Sequence, residues 1–214
     1  MINNKIIDTQ MISDTTFKYL YKNERTRYWL QEIIKEKTGI DLTNYILIDN
    51  EDNTGSRIKD YRFDLLFNNG ENNEFVIIEL NREYSKSVEI KGRQYLYRKA
   101  SHGFDRGENY DNPPNIKLVM LNNYYNRTNK AIMNINYKLY NKDYELEYDD
   151  LEIHEIYLKP YHEMCYDKCS KIDKRLWLLG SKDLQEIIEK KDNDNKVIVE
   201  ELERLSMDSK FIDE

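Results

Sequence analysis

The sequence predicts an α/β fold in which helices flank a mixed central sheet and a helical extension follows at the C-terminal end. Three observations lead there. Short β-rich apolar runs at 45–48, 61–67 and 75–81 are separated by turn-forming residues, so they read as a three-stranded meander. A helical stretch at 85–102, closed by Gly103, precedes a strand at 116–121. Strand, helix and strand in that order form a right-handed parallel crossover. Beyond Tyr161 the pattern is mostly helical, ending in an acidic amphipathic helix at 196–207.

The elements follow in order. Ser13-Asp14 offers a helix N-cap. Phe17, Leu20, Tyr21 and Tyr28 keep one helical stripe, while Leu30, Ile33 and Ile34 form a second stripe rotated from it before Gly39. Two short helices and one long helix buried on two sides both fit. Gly92 lies inside the crossover helix, where glycine is unfavourable. A loop holding Pro113-Pro114 leads into the strand at 116–121, and a polar Asn- and Tyr-rich segment at 124–150 holds a hairpin whose strands the pattern does not place. Residues 153–158 read as a further strand. The division is a core at 1–160 with the helical extension, 161–214, packed on it.

The 214 residues suffice for one substantial core. Charged residues make up 34% and the formal net charge is -7, so overall electrostatics repel a polyanion and nucleic-acid contact has to be a local patch assisted by divalent metal. No stretch of eighteen apolar residues occurs, and the first five residues lack the apolar core of a signal peptide; a soluble, cytoplasmic protein without membrane contact is expected. Cys165 and Cys169, near His162, have no second ligand pair for zinc and read as reduced thiols.

The chemistry concentrates in the second and third runs. Asp64 lies in Tyr61-Arg62-Phe63-Asp64-Leu65-Leu66-Phe67, and Glu79 and Asn81 in Phe75-Val76-Ile77-Ile78-Glu79-Leu80-Asn81, with Asn68-Asn69-Gly70 opening the turn. Period-2 alternation puts Glu79 and Asn81 on one face. An even-length hairpin loop sets Asp64 opposite Ile77 or Glu79, and either register brings it to the Glu79 face. Glu79 follows an apolar β-branched run typical of a strand covered on both faces, where a carboxylate is costly unless a cation compensates it. Solvated surface acids are the plain alternative.

Asp64, followed fifteen positions later by Glu79-x-Asn81, resembles the Asp…Glu-x-Lys core of the PD-(D/E)xK nuclease superfamily, above all its transposase-like, recombination-promoting branch, in which the Lys position is commonly Gln. Asp14-x-x-Phe17-Lys18, Arg93-x-x-x-Tyr97, Gly107-x-x-Tyr110 and the strand at 116–121 extend the resemblance, and 153–159, Trp177 and the helical ending around Leu202 and Leu205 fit it less specifically. Asn81 departs from both Lys and Gln. The resemblance implies a restriction-endonuclease-like core and a DNA endonuclease in which Asp64, Glu79 and the Leu80 carbonyl hold Mg²⁺ or Mn²⁺, with Asn81 completing the catalytic set. Arg93 or Lys18 would replace the missing charge, and Glu24 or Glu32 would add a carboxylate from the first helical region.

Phosphate contacts are expected from Lys18 and the crossover helix. Between 82 and 106 the bases Arg82, Lys86, Lys91, Arg93, Arg98, Lys99 and Arg106 outnumber the acids Glu83, Glu89 and Asp105. Arg93 shares a helical face with Tyr97, and with Lys86 across two turns, so Lys86, Arg93 and Tyr97 form the expected DNA-facing set. Cutting both strands would favour a symmetric dimer. Two other readings stand beside this one: a degenerate nuclease fold that binds DNA or protein without cutting, and an acidic module that inhibits a nuclease by mimicking DNA.

Overall fold

In the computed structural model, which describes residues 13–48, 63–101, 114–142 and 146–207, the N-terminal region forms two helices. They are α1 (Asp14–Lys22) and α2 (Glu24–Thr38). Ser13 caps α1 by accepting from the Thr16 N–H at 3.1 Å, and Asn23 ends α1 and caps α2 through Arg25 N–H at 3.0 Å. That break explains the two apolar stripes. It also corrects one of them: Tyr28 is 63% exposed, because the chain turns at Asn23 and the face defined by Phe17, Leu20 and Tyr21 does not continue into α2. Gly39 closes α2 at φ 79, a left-handed conformation that glycine adopts at little cost.

Six strands form one mixed open sheet. In chain order they are β1 (Ile46–Ile48), β2 (Leu65–Asn69), β3 (Glu74–Asn81), β4 (Asn115–Asn122), β5 (Asn134–Asn141) and β6 (Leu146–Tyr157), arranged β1-β2-β3-β4-β6-β5. β1, β2 and β3 are the antiparallel meander. Helix α3 (Lys86–Ser101) carries the chain from β3 to β4, which pair in parallel, and β4 pairs in parallel with β6. β5 lies antiparallel on the outer edge of β6, so the polar segment does hold a hairpin. Its return strand starts well before the expected residue 153. Tyr61, Arg62, Gly103 and Pro113 lie outside the described residues.

The two faces of the sheet are covered unequally. One face buries Leu65, Phe67, Val76, Ile78, Val119, Leu121 and Ile156 against α1, α2 and the C-terminal helices. Those helices are α4 (Leu158–His162), α5 (Lys171–Gly180), α6 (Leu184–Glu189) and α7 (Lys196–Ser206). Leu176, Leu178, Ile198, Val199 and Leu202 share a single apolar core with Phe17, Leu20 and Ile33, so the helices beyond 160 complete that core. The buried Arg175 fastens α5 to α2, with Nη1 2.6 Å from Glu32 Oε2 and 3.1 Å from the Trp29 carbonyl it donates to. The opposite face buries Leu66, Ile77, Ile116, Leu118 and Met120 beneath α3, through Leu96 and Val88.

Gly92 makes that second layer thin. A Cβ there would sit 3.0 Å from Met120 Sδ and 3.3 Å from Leu118 Cδ2, so the glycine lets α3 lie close on β4. Among the described residues, no helix is long and apolar enough to cross a membrane.

Candidate active site

The hairpin register sets the site. Leu65 pairs with Ile78 and Leu66 with Ile77, so one further step places Asp64 opposite Glu79. Of the two registers open from the sequence, the structure takes that one. Glu79 emerges on the α3 face beside Met120, while Asp64 sits at the bend before β2 within reach of α1, and both are nearly inaccessible, with 8% of the Asp64 side chain and 3% of the Glu79 side chain exposed.

Each carboxylate is held by backbone beside the other. The Asp64 N–H donates to Glu79 Oε1 at 3.1 Å, and the Leu80 N–H donates to Asp64 Oδ2 at 2.9 Å. The second oxygen of each meets a lysine: Lys18 Nζ of α1 is 3.2 Å from Asp64 Oδ1, and Lys91 Nζ of α3 is 3.1 Å from Glu79 Oε2. The Lys91 ammonium also lies 4.9 Å from the centroid of the Tyr95 ring. Two elements on opposite sides of the hairpin thus deliver cations to it.

Electrostatics distinguish the two strands' ends. Burial, followed by repulsion from Asp64, pushes the Glu79 carboxyl up to about 7 even with Lys91 opposing. Burial pulls Lys91 down, but Glu79 and Tyr95 more than offset it and hold the ammonium protonated well above its ordinary range. The oxygen-only donor set suits a hard cation such as Mg²⁺ or Mn²⁺. That each carboxylate directs one oxygen to an ammonium shows that cationic charge is accommodated at this place. No group of three or more His, Cys, Asp or Glu side chains converges among the described residues, so Asp64 and Glu79 are the carboxylates available to hold such an ion here.

Asn81, two residues beyond Glu79 on β3, is engaged with β4. Its Nδ2 donates to Asn122 Oδ1 at 2.9 Å, and the Tyr124 hydroxyl donates to that same oxygen at 3.0 Å. The position expected to replace Lys or Gln is therefore an anchor between two parallel strands. Lys91, rather than Arg93, brings the cation to Glu79. Lys91 stands in the basic stretch of the sequence, and its signal was the one-residue offset from Gly92, the contact that fixes how α3 sits on the sheet.

Arg93 projects from the opposite flank of α3 and lines a cavity with Tyr84 and Arg127. Lys86 is exposed at the start of α3, and the side chain of Tyr97 lies outside the described residues. The expected carboxylates from the helical region are not at the site: Glu32 is engaged by Arg175 and Lys171, and Glu24 is 94% exposed beside Arg27. Asp14, on the same α1 face as Lys18, instead reaches Arg82 at 3.7 Å just beyond β3. Cys165 and Cys169 are free thiols flanking a short 3-10 turn, and the His162 ring packs against Trp177 with centroids 4.5 Å apart.

Comparison with protein-family models, with curated proteins and with solved structures gave no match. The fold and the site define an α/β protein with a mixed six-stranded sheet and a buried, lysine-flanked carboxylate pair.

Proposed function

We propose that this chain is a divalent-metal-dependent DNA endonuclease with a restriction-endonuclease-like core, of the transposase-like, recombination-promoting PD-(D/E)xK kind. The observation that carries the reading is the reciprocal hold of Asp64 and Glu79 at the end of a hairpin, capped by Lys91 from the crossover helix. A structural ion pair needs no second buried carboxylate at the same point, and two carboxylates facing each other are costly without a cation to share.

Asp64 and Glu79 would hold Mg²⁺ or Mn²⁺. When bound, that ion supplies Lewis acidity towards a phosphate oxygen and a water of lowered pKa. The remaining work falls to the chain's own groups. The backbone bonds to Glu79 Oε1 and Asp64 Oδ2 fix both carboxylates before substrate arrives, so little reorganisation is left to the reaction. Lys91, being held protonated, acts as a hydrogen-bond donor and a positive charge facing the phosphate, not as a base. Lys18 provides a second positive charge on the α1 side. The supply of Lys91 by α3 makes the loss of a lysine at position 81 tolerable.

A second reading has one specific observation in its favour. Both carboxylates are already neutralised by lysines, an arrangement that a catalytically degenerate fold serving as a DNA-binding or interaction module would also keep. Nicking of supercoiled plasmid by purified protein with Mg²⁺ or Mn²⁺ separates the two. Metal-dependent cutting that disappears in Asp64→Ala, in Glu79→Ala and in EDTA supports the nuclease. Equal inertness of wild type and variants with both metals leaves the binding module as the better account.

A further inference from the structure

On the α3 face, beside the carboxylates, the sheet carries a cavity of about 740 Å³ over β4, β6 and β5. The size lies within the range of small-ligand pockets. Its walls are aromatic. Tyr84 meets Tyr124 edge to face at 5.6 Å between centroids, and Tyr124 meets Tyr157 at 6.0 Å. Tyr137 of β5 stands at the rim, 47% exposed.

Charge enters from two sides. Arg127 lies 4.7 Å from the Tyr84 ring centroid and donates to its hydroxyl at 2.6 Å, while Arg93 approaches from α3. Opposite them is Glu155. Its Oε2 accepts from the hydroxyls of both Tyr157 and Tyr137, and Oε1 makes no hydrogen bond among the described residues.

The cavity is continuous with the carboxylate row. Met120 lines it and is the parallel-register partner of Glu79, so the cavity begins one strand away, about 5 Å across the sheet. Asn122, fully buried, joins the two places: its Oδ1 accepts from Asn81 and from the cavity residue Tyr124. With that oxygen doubly used the amide orientation is fixed, and its Nδ2 is buried without a hydrogen-bond partner among the described residues.

We propose that this cavity binds one unpaired nucleobase of the strand being cut, so that the substrate is single-stranded DNA or DNA with an extruded base. The inference rests on the nuclease reading for the position of the neighbouring phosphate, but the binding itself does not. The tyrosine faces supply stacking that any base accepts, the arginines supply contacts to flanking phosphates, and the Glu155 carboxylate accepts from an exocyclic amine. A duplex offers none of its base faces to such a cavity.

The test is a titration in EDTA of the full chain with a single-stranded DNA oligonucleotide containing one 2-aminopurine, beside the same sequence annealed to its complement. The expected result is quenching of the probe on binding, an affinity at least tenfold higher for the single strand, and a loss of about tenfold in Tyr137→Ala and in Arg127→Ala, both altered at the cavity rim. Circular dichroism of each variant establishes that it is folded. Equal affinity for single strand and duplex, or folded variants that bind as wild type does, overturns the proposal. Because no cutting is measured, the titration tests the cavity alone, and absence of nicking in the separate plasmid assay counts against the nuclease alone.

Discussion

Glu79 and Glu155 occupy one row of the sheet, each in register with Met120, which stands between them on β4. With strands about 4.8 Å apart, the two carboxylate-bearing positions are separated by roughly 10 Å of backbone. Asp64 extends the row on the other side of Glu79. The next row towards the strand ends is Asn81, Asn122 and Tyr157, and the row before is Ile77, Leu118 and Ile153. On this face the carboxylate row therefore sits between an apolar row that anchors α3 and a polar row that ties three strands together.

Lys91 separates a catalytic from a merely neutralising role. Replacing it with Met removes a competing cation from Glu79, so affinity for Mn²⁺ should rise severalfold. On the proposed nuclease mechanism the same change removes the positive charge that would face the phosphate, and plasmid nicking should fall by about 100-fold. Titration calorimetry and nicking rates on one preparation check both. Lower metal affinity together with unchanged nicking would refute this role.

The raised carboxyl of Glu79 predicts how stability changes with pH in EDTA. Its folded value of about 7 lies above the ordinary 4.5, so the folded state binds the proton more tightly than the unfolded state does. That contribution is fully present below about pH 4.5 and is lost as pH rises through 7. Glu79→Gln, which keeps the neutral form, should match wild type near pH 4 and exceed it above pH 7.5 by on the order of 3 kcal/mol. Urea unfolding of the two proteins across this range measures the difference.

Gly92 predicts a size-dependent penalty. Alanine gains about 1 kcal/mol of helix propensity but presses on Met120 Sδ, a flexible neighbour, so Gly92→Ala should change stability by less than about 1 kcal/mol. Gly92→Leu cannot be accommodated that way and should cost at least about 2 kcal/mol in urea unfolding.

Arg175 predicts the dependence of the N-terminal helices on α5. It is 4% exposed, pairs with Glu32, donates to the Trp29 carbonyl and lies 5.4 Å from the Trp29 ring centroid. Arg175→Ala leaves the Trp29 carbonyl without this donor and Glu32 with Lys171 as its remaining ion-pair partner, and should cost about 3 kcal/mol. Trp fluorescence during denaturation reads the loss directly, since Trp29 is the ring it covers.

Much of the layout could be read from residue patterns. The Asn-Gly turn and the alternation around Glu79 place the hairpin and bring Asp64 beside Glu79, and the basic run of the crossover helix contains the lysine that reaches Glu79. The row containing Glu155 was legible in principle, because Ile153-x-Glu155-x-Tyr157 repeats the spacing of Ile77-x-Glu79-x-Asn81 on a second parallel strand. What hid it was the neighbouring Asn- and Tyr-rich segment, where the alternation of Ile135, Tyr137 and Leu139 is short and set among polar residues, so it does not mark where the strands begin and end. Lys91 was hidden for another reason. Which flank of a helix meets the sheet depends on where the helix touches down, and that contact is made by a residue without a side chain.

The carboxylate pair also guards the pairing of its own hairpin. If β3 slipped by one residue against its neighbours, Glu79 would turn into the apolar layer now filled by Ile78 and Leu80, away from Lys91 and from the Asp64 amide. A charge stranded there costs far more than the slipped ladder could recover. Misregistered forms of the hairpin are thereby expelled from the folded population, and the feature that defines the candidate site is also one that makes the strand order unambiguous.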